Sequence, residues 1–167
     1  MNIFVVDQDP RQAATCLVDR HVVKMTLETA QIMCSVFPEG AAPYRRTHYN
    51  HPCSVWARER LDNYEWLYQH GSALSSEFTF RFGKEHKSSA VIDWCWNNVS
   101  RSLFRSDGHR TPFAQAMPDE YKDADPVVAY RHYYRVAKAH LHKWTRRDSP
   151  AWINLTQPQP QPQPTNP

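Results

Sequence analysis

The stretch DRHVVKMTLETAQ, residues 19–31, constrains this chain more than any other. It lies inside an apolar-periodic run from about Ala13 to Val36. At about 100° of rotation per residue, His21, Lys24, Glu28, Gln31 and Ser35 fall in one stripe. Val18, Val22, Met25, Ile32 and Met33 flank that stripe on one side, and Val23, Leu27, Ala30 and Cys34 on the other. A solvated stripe needs no apolar walls on both sides. The pattern therefore predicts a largely buried helix with a base, an ammonium and a carboxylate aligned in its one polar seam. Buried ionisable groups are costly unless paired, and pockets that gather them are where pKa values are shifted for chemistry. The plainer reading makes Lys24 and Glu28 a surface i,i+4 ion pair, contributing about 0.2–0.5 kcal/mol, with His21 a satisfied core histidine. Five polar residues confined to one stripe favour the pocket.

The rest of the chain reads as helices separated by loops. Met1 to Val6 is a short apolar, extended run; Asp9 supplies an N-cap and Pro10 the first helical position of a helix that carries the stripe and ends near Phe37-Pro38. Residues 38–53 form a loop rich in Arg, His and aromatic groups. A second long helix is predicted from Ser54 to Phe82, with Gly71 as a bend and Gly83 at its C-terminal cap. A shorter helix within residues 86–99 turns Val91, Trp94 and Cys95 inward, and a polar loop runs from Ser100 to Asp125. Asp125 caps, and Pro126 opens, a last helix to about Arg146. The expected fold is one all-α domain over residues 1–156, with two long helices, a shorter middle helix, a C-terminal helix and a long loop. Residues 157–167 repeat Gln-Pro and read as a solvated polyproline-type tail.

The 167 residues suffice for one proper core, and neither a membrane span nor a signal peptide is visible, so a cytoplasmic protein is expected. Cys16, Cys34, Cys53 and Cys95 lack paired spacing and read as reduced packing residues. The net charge of +3 permits nucleic acid as a partner without demanding it. More informative are basic clusters set among aromatic residues: Arg45 and Arg46; Arg81, Lys84 and Lys87; Lys143, Arg146 and Arg147. Such combinations grip phosphates and bases together, although any single cluster also suits a solvated face. His48, His51 and Cys53 in THYNHPC are metal-capable, but the paired ligand spacing is missing and Pro52 restricts the backbone, so neither metal nor cofactor is expected. Asn50-His51-Pro52 reads instead as a polar turn that caps the second helix beside the stripe. No GxSxG is present, and four glycines leave no room for a phosphate-cradling loop. What remains is amine, carboxylate and imidazole chemistry, in which a carboxylate stabilises a carbon that becomes cationic under attack by an amine.

Asp19-x-His21 with Glu28 seven residues after the His, then NHPCSVWARERLDNYEWLY, EFTFRFGKEH and AYRHYYRVAKA, together resemble the pyrimidine-dimer DNA glycosylases, the small all-helical phage repair endonucleases and their bacterial relatives. The resemblance matches His51 to a His before the family's second helix, Glu77, Phe78, Arg81, Phe82 and Gly83 to that helix's end, and Tyr130, Arg131, Tyr133, Tyr134 and Lys138 to its aromatic-basic C-terminal segment. It implies attack on C1′ of a damaged or modified nucleotide by an N-terminal α-amine, a Schiff base, and strand cleavage by β-elimination, with Glu28 stabilising the sugar cation. The family exposes a small residue after Met removal, whereas Asn2 follows Met1 here. Either the Met1 amine serves, or Lys24 one turn from Glu28 serves, or the lyase step is absent.

The expected partner is double-stranded DNA with a displaced or modified base, in a host cytoplasm if the chain belongs to a phage. Glu28, Met1, Lys24 and His21 are the candidate catalytic groups. Asn2, Gln31, Asn50, His51, Tyr130, Tyr133 and Tyr134 are candidates for the nucleotide, and Arg45, Arg46, Arg81, Lys84 and Lys138 for phosphates. Two rivals stay open: a base- or nucleotide-modifying enzyme using the same pocket, and a non-catalytic nucleic-acid-binding or anti-defence protein.

Overall fold

The computed structural model describes residues 1–105 and 108–155. The Gln-Pro tail lies outside them. Among the described residues there are six α-helices and no strands: α1 (Pro10–Cys16), α2 (Asp19–Ser35), α3 (Pro52–Glu59), α4 (Leu61–Phe82), α5 (Ser89–Asn98) and α6 (Pro126–Val136). The architecture is all-α, and the two long helices α2 and α4 pack along each other with α1, α3 and α5 around them. Met25, Ile32 and Met33 of α2 meet Tyr64, Leu67 and Leu74 of α4 and Ile92 and Cys95 of α5 in the core.

The expected helix from Pro10 to Phe37 is two helices. Leu17 and Val18 are extended and wholly buried, and the break is held by distant partners. The Val18 N–H donates to Tyr134 Oη at 2.9 Å, and the Asp19 N–H to the Lys143 carbonyl at 2.8 Å. Both donors would otherwise bond inside a continuous helix.

The second predicted helix is also broken, at Arg60 (φ −142°, ψ 150°) rather than at Gly71. Gly71 sits in the straight part of α4 because α2 passes close there: a Cβ would lie 2.7 Å from Thr29 Cγ2. Gly83 ends α4 in the left-handed conformation (φ 68°), its N–H on the Thr79 carbonyl. In α5 the inward residues are Ile92 and Cys95, with Val91 and Trp94 only half-buried. α6 stops at Val136, ten residues earlier than predicted (146 − 136), and His142 folds back so that Nε2 lies 3.0 Å from the Tyr134 carbonyl. The caps at Asp9 and Asp125 are as read from the sequence.

The N-terminal segment places the site. Asn2 to Val6 run buried in no helix or strand, turning at Phe4 (φ 55°). Asn2 folds this turn with its own side chain: Oδ1 accepts from the N–H groups of Ile3 (2.7 Å) and Phe4 (3.2 Å), while Nδ2 donates to the Ala116 carbonyl at 2.8 Å. The start of the chain is thereby fastened to a segment 114 residues away.

Candidate active site

The Glu28 side chain is only 9 % exposed and faces three nitrogen groups. The Asn2 N–H donates to Oε2 at 2.9 Å, the Met1 α-amine lies 3.7 Å from Oε1, and Lys24 Nζ lies 3.5 Å from the same oxygen. The two amines differ in setting. Met1 is packed against the core with its side chain 2 % exposed, whereas the Lys24 side chain is 60 % exposed. A buried carboxylate against a chain-terminal ammonium is paired at low cost, because the backbone delivers the amine and no long side chain has to be ordered.

His21, on the same stripe, is buried between Phe4 and Tyr134. Its ring stacks on Phe4 at 4.3 Å, and Nδ1 lies 2.8 Å from Tyr134 Oη. Tyr134 already accepts from Val18, so its own proton goes to Nδ1 and the imidazole N–H is at Nε2. Burial, with the positive charges of Lys138, Lys24 and Arg20, lowers the His21 pKa to about 3. His21 is neutral at pH 7 and holds the N-terminal turn on α2. Asp19, its partner in the motif, accepts from Thr145 N–H (2.8 Å) and Oγ1 (2.7 Å) and from Arg81 (3.1 Å).

Three residues expected to touch DNA are placed in the interior instead. Arg81 is 2 % exposed and donates to Glu77 at 2.7 Å, to Asp19, and to the carbonyls of Leu17 and Thr15; it clamps the α1–α2 break onto α4 and has no fork left for a phosphate. Tyr134 is fully buried in the His21 contact. Tyr130 is fully buried too, donating to the Ala114 carbonyl (2.8 Å) and accepting from the Ala116 N–H (3.1 Å), so it holds the segment that holds Asn2. Neither ring offers a face to a base. Tyr133 is half-buried, with Lys138 Nζ 5.0 Å from its ring centroid.

The remaining candidates border the stripe. Gln31 is half-buried; Arg45, Asn50 and Lys84 are exposed; Arg46 donates to the Phe37 carbonyl and lies over the Tyr49 ring. Val23 and Leu27, expected as an inner wall, are 42 % and 39 % exposed because no element packs over them. They floor a groove of about 630 Å³ with Arg20, Lys24, Tyr44 and Lys87 at its sides. A second groove of about 680 Å³, lined by Gln31, Arg45, Arg46 and Thr47, adjoins it at Leu27 and Tyr44. Among the described residues, no carboxylate lines either groove. Sequence reading missed Tyr44 and Ser88, whose hydroxyls bond at 2.9 Å across the first groove's end; each alone is an unremarkable loop residue.

His51 caps α3, its Nδ1 accepting from the Cys53 N–H at 3.1 Å. Burial, then the Met1 amine and His48, lower its pKa, against an opposing pull from Glu28. Burial pushes the Cys53 thiol up to about 12. No group of three metal-capable side chains gathers among the described residues.

A sequence model described as pyrimidine dimer DNA glycosylase matches residues 1–89, more than half of the chain, and that span contains Met1, Glu28 and His51. The chain belongs to this family. A search of curated proteins and one of solved structures gave no match. As a pyrimidine dimer DNA glycosylase family member, the protein is a DNA glycosylase-type repair enzyme and a DNA binder. No helix among the described residues is long and apolar enough to cross a membrane.

Proposed function

We propose that this family member excises a damaged or modified base from duplex DNA and cuts the resulting site as a lyase, with the Met1 α-amine as nucleophile. The observation that carries the reading is the buried Glu28 carboxylate 3.7 Å from that amine. The amine nitrogen attacks C1′ while the C1′–N bond breaks and its electron pair leaves with the base. Positive charge then builds on the sugar, and a preorganised carboxylate beside C1′ is worth most at that moment. The amine loses its protons, the sugar ring opens to the imine, and loss of a C2′ proton expels the 3′ phosphate. The two grooves suit a polyanion: Arg20, Lys24, Lys87, Arg45 and Arg46 border them with no acidic counterpart.

Lys24 is the second reading, favoured by its 3.5 Å approach to the same oxygen. Its ammonium is largely hydrated, whereas the Met1 amine is held by the Asn2 turn, so the amine has the better-defined geometry. Borohydride trapping on an abasic duplex decides. The Met1 reading expects a covalent adduct, its loss when one residue is added ahead of Met1, and its survival in Lys24→Met; the reverse pattern transfers the role to Lys24. Glu28→Gln should slow excision roughly 100-fold or more at nearly unchanged DNA affinity. No adduct from the unmodified protein would remove the lyase step.

A further inference from the structure

His51 has a donor that nothing among the described residues uses. Because the Cys53 N–H donates to Nδ1, that nitrogen carries the lone pair and the neutral ring carries its hydrogen on Nε2. Nε2–H has no acceptor among the described residues, and the ring is half-buried rather than lost to solvent. The first turn of α3 also packs beside the reaction centre: α3 lies against α2, Cys53 is buried in the same core as Ile3, and the charges of Met1 and Glu28 reach both Cys53 and His51. The backbone cap thus fixes both the tautomer and the direction of the imidazole.

We propose that His51 is a catalytic hydrogen-bond donor to the departing base, its Nε2–H received by the pyrimidine carbonyl oxygen beside the glycosidic nitrogen. The assignment rests on the glycosylase reading above, and charge decides which end of the breaking bond it serves. As the bond opens, the sugar becomes positive and the base negative. Glu28 complements the sugar; an N–H donor there would oppose the reaction, so the donor belongs to the base. A neutral imidazole suffices, because the proton is shared with the carbonyl and not released, and the Met1 amine and His48 disfavour a positive charge on this ring.

Two DNA duplexes and two variants test this. One duplex carries a cis-syn thymine dimer, and the other a preformed abasic site from which the base has already gone. His51→Ser keeps an N-cap acceptor but no donor long enough to reach; His51→Asn keeps the cap and adds an amide N–H₂. In single-turnover assays with saturating enzyme, His51→Ser should slow excision from the dimer roughly 10- to 100-fold. It should leave borohydride trapping on the abasic duplex within about threefold, and His51→Asn should recover part of the lost rate. Undiminished excision by His51→Ser would overturn the assignment, as would an equal loss on both duplexes, which marks a merely structural role. Failure of the glycosylase reading looks different: the unmodified protein would then release no base from the dimer duplex, whatever it does on the abasic one.

Discussion

Lowering the pH should unfold this protein through His21, and the effect can be isolated. The folded ring is held neutral, with its pKa lowered to about 3 from the ordinary 6.5, first by burial and then by Lys138, Lys24 and Arg20. The unfolded chain therefore binds a proton that the folded chain refuses. Stability is fully present above pH 6.5 and is lost as the pH falls toward 3. At pH 4 the unfolded state has gained most of that proton, which costs about 3 kcal/mol relative to pH 7. Protonation would also put a hydrogen on Nδ1, the atom that faces the Tyr134 hydroxyl at 2.8 Å. His21→Gln keeps an acceptor for Tyr134 but cannot titrate. It should be less stable at pH 7 by about 1 kcal/mol, through the lost stacking on Phe4. Urea unfolding of both proteins from pH 7 to pH 4, followed by circular dichroism, gives the difference curve. His70, buried and lowered to about 4, pulls in the same direction, as do Asp19 and Glu77, but these groups are common to both proteins and cancel. The difference should shrink by about 3 kcal/mol and reverse sign in acid; a flat difference would refute the argument.

Gly71→Ala should gain about 1 kcal/mol in helix propensity yet lose about 1–3 to overpacking against Thr29, and Thr29→Ser, which removes the clashing methyl, should restore the balance in a double-mutant cycle. Tyr134→Phe should cost about 1–3 kcal/mol in urea unfolding by orphaning the Val18 N–H, with DNA affinity unchanged. Tyr133→Ala should do the opposite, weakening DNA binding by about 1–3 kcal/mol with little effect on stability, as fluorescence anisotropy would read. Arg45→Ala and Lys84→Ala should each reduce the salt dependence of binding by about one unit. Arg81→Met should leave that slope alone but destabilise the fold by about 3–5 kcal/mol, because Glu77 and Asp19 lose a buried partner.

Local chemistry by itself determined the helix starts and stops that are made of adjacent residues. Asp9-Pro10, Asp125-Pro126, His51-Pro52 and Gly83 are caps whose donor and acceptor lie within a few positions, so their meaning survives any tertiary context. The polar stripe of α2 was equally legible, since helical rotation alone brings Lys24 and Glu28 together and the repeat of apolar residues buries the carboxylate. Only the tertiary structure decided what could not be local. The break at Leu17-Val18 exists because Tyr134, 116 residues on, takes the Val18 N–H. The Met1 amine reaches Glu28 because Asn2 is tied to Ala116. The aromatic run at 130–134 shows its types but not its faces. Once α6 packs, Tyr130 and Tyr134 turn inward to satisfy the backbone of the N-terminal half, and only Tyr133 of the three stays half-exposed. Arg81 follows the same rule: a guanidinium in a basic cluster reads as a phosphate contact until a carboxylate pair and two carbonyls take four of its five donors and bury it. Val23 and Leu27 have the periodicity of a core wall, but burial needs a second surface, and no helix among the described residues covers them.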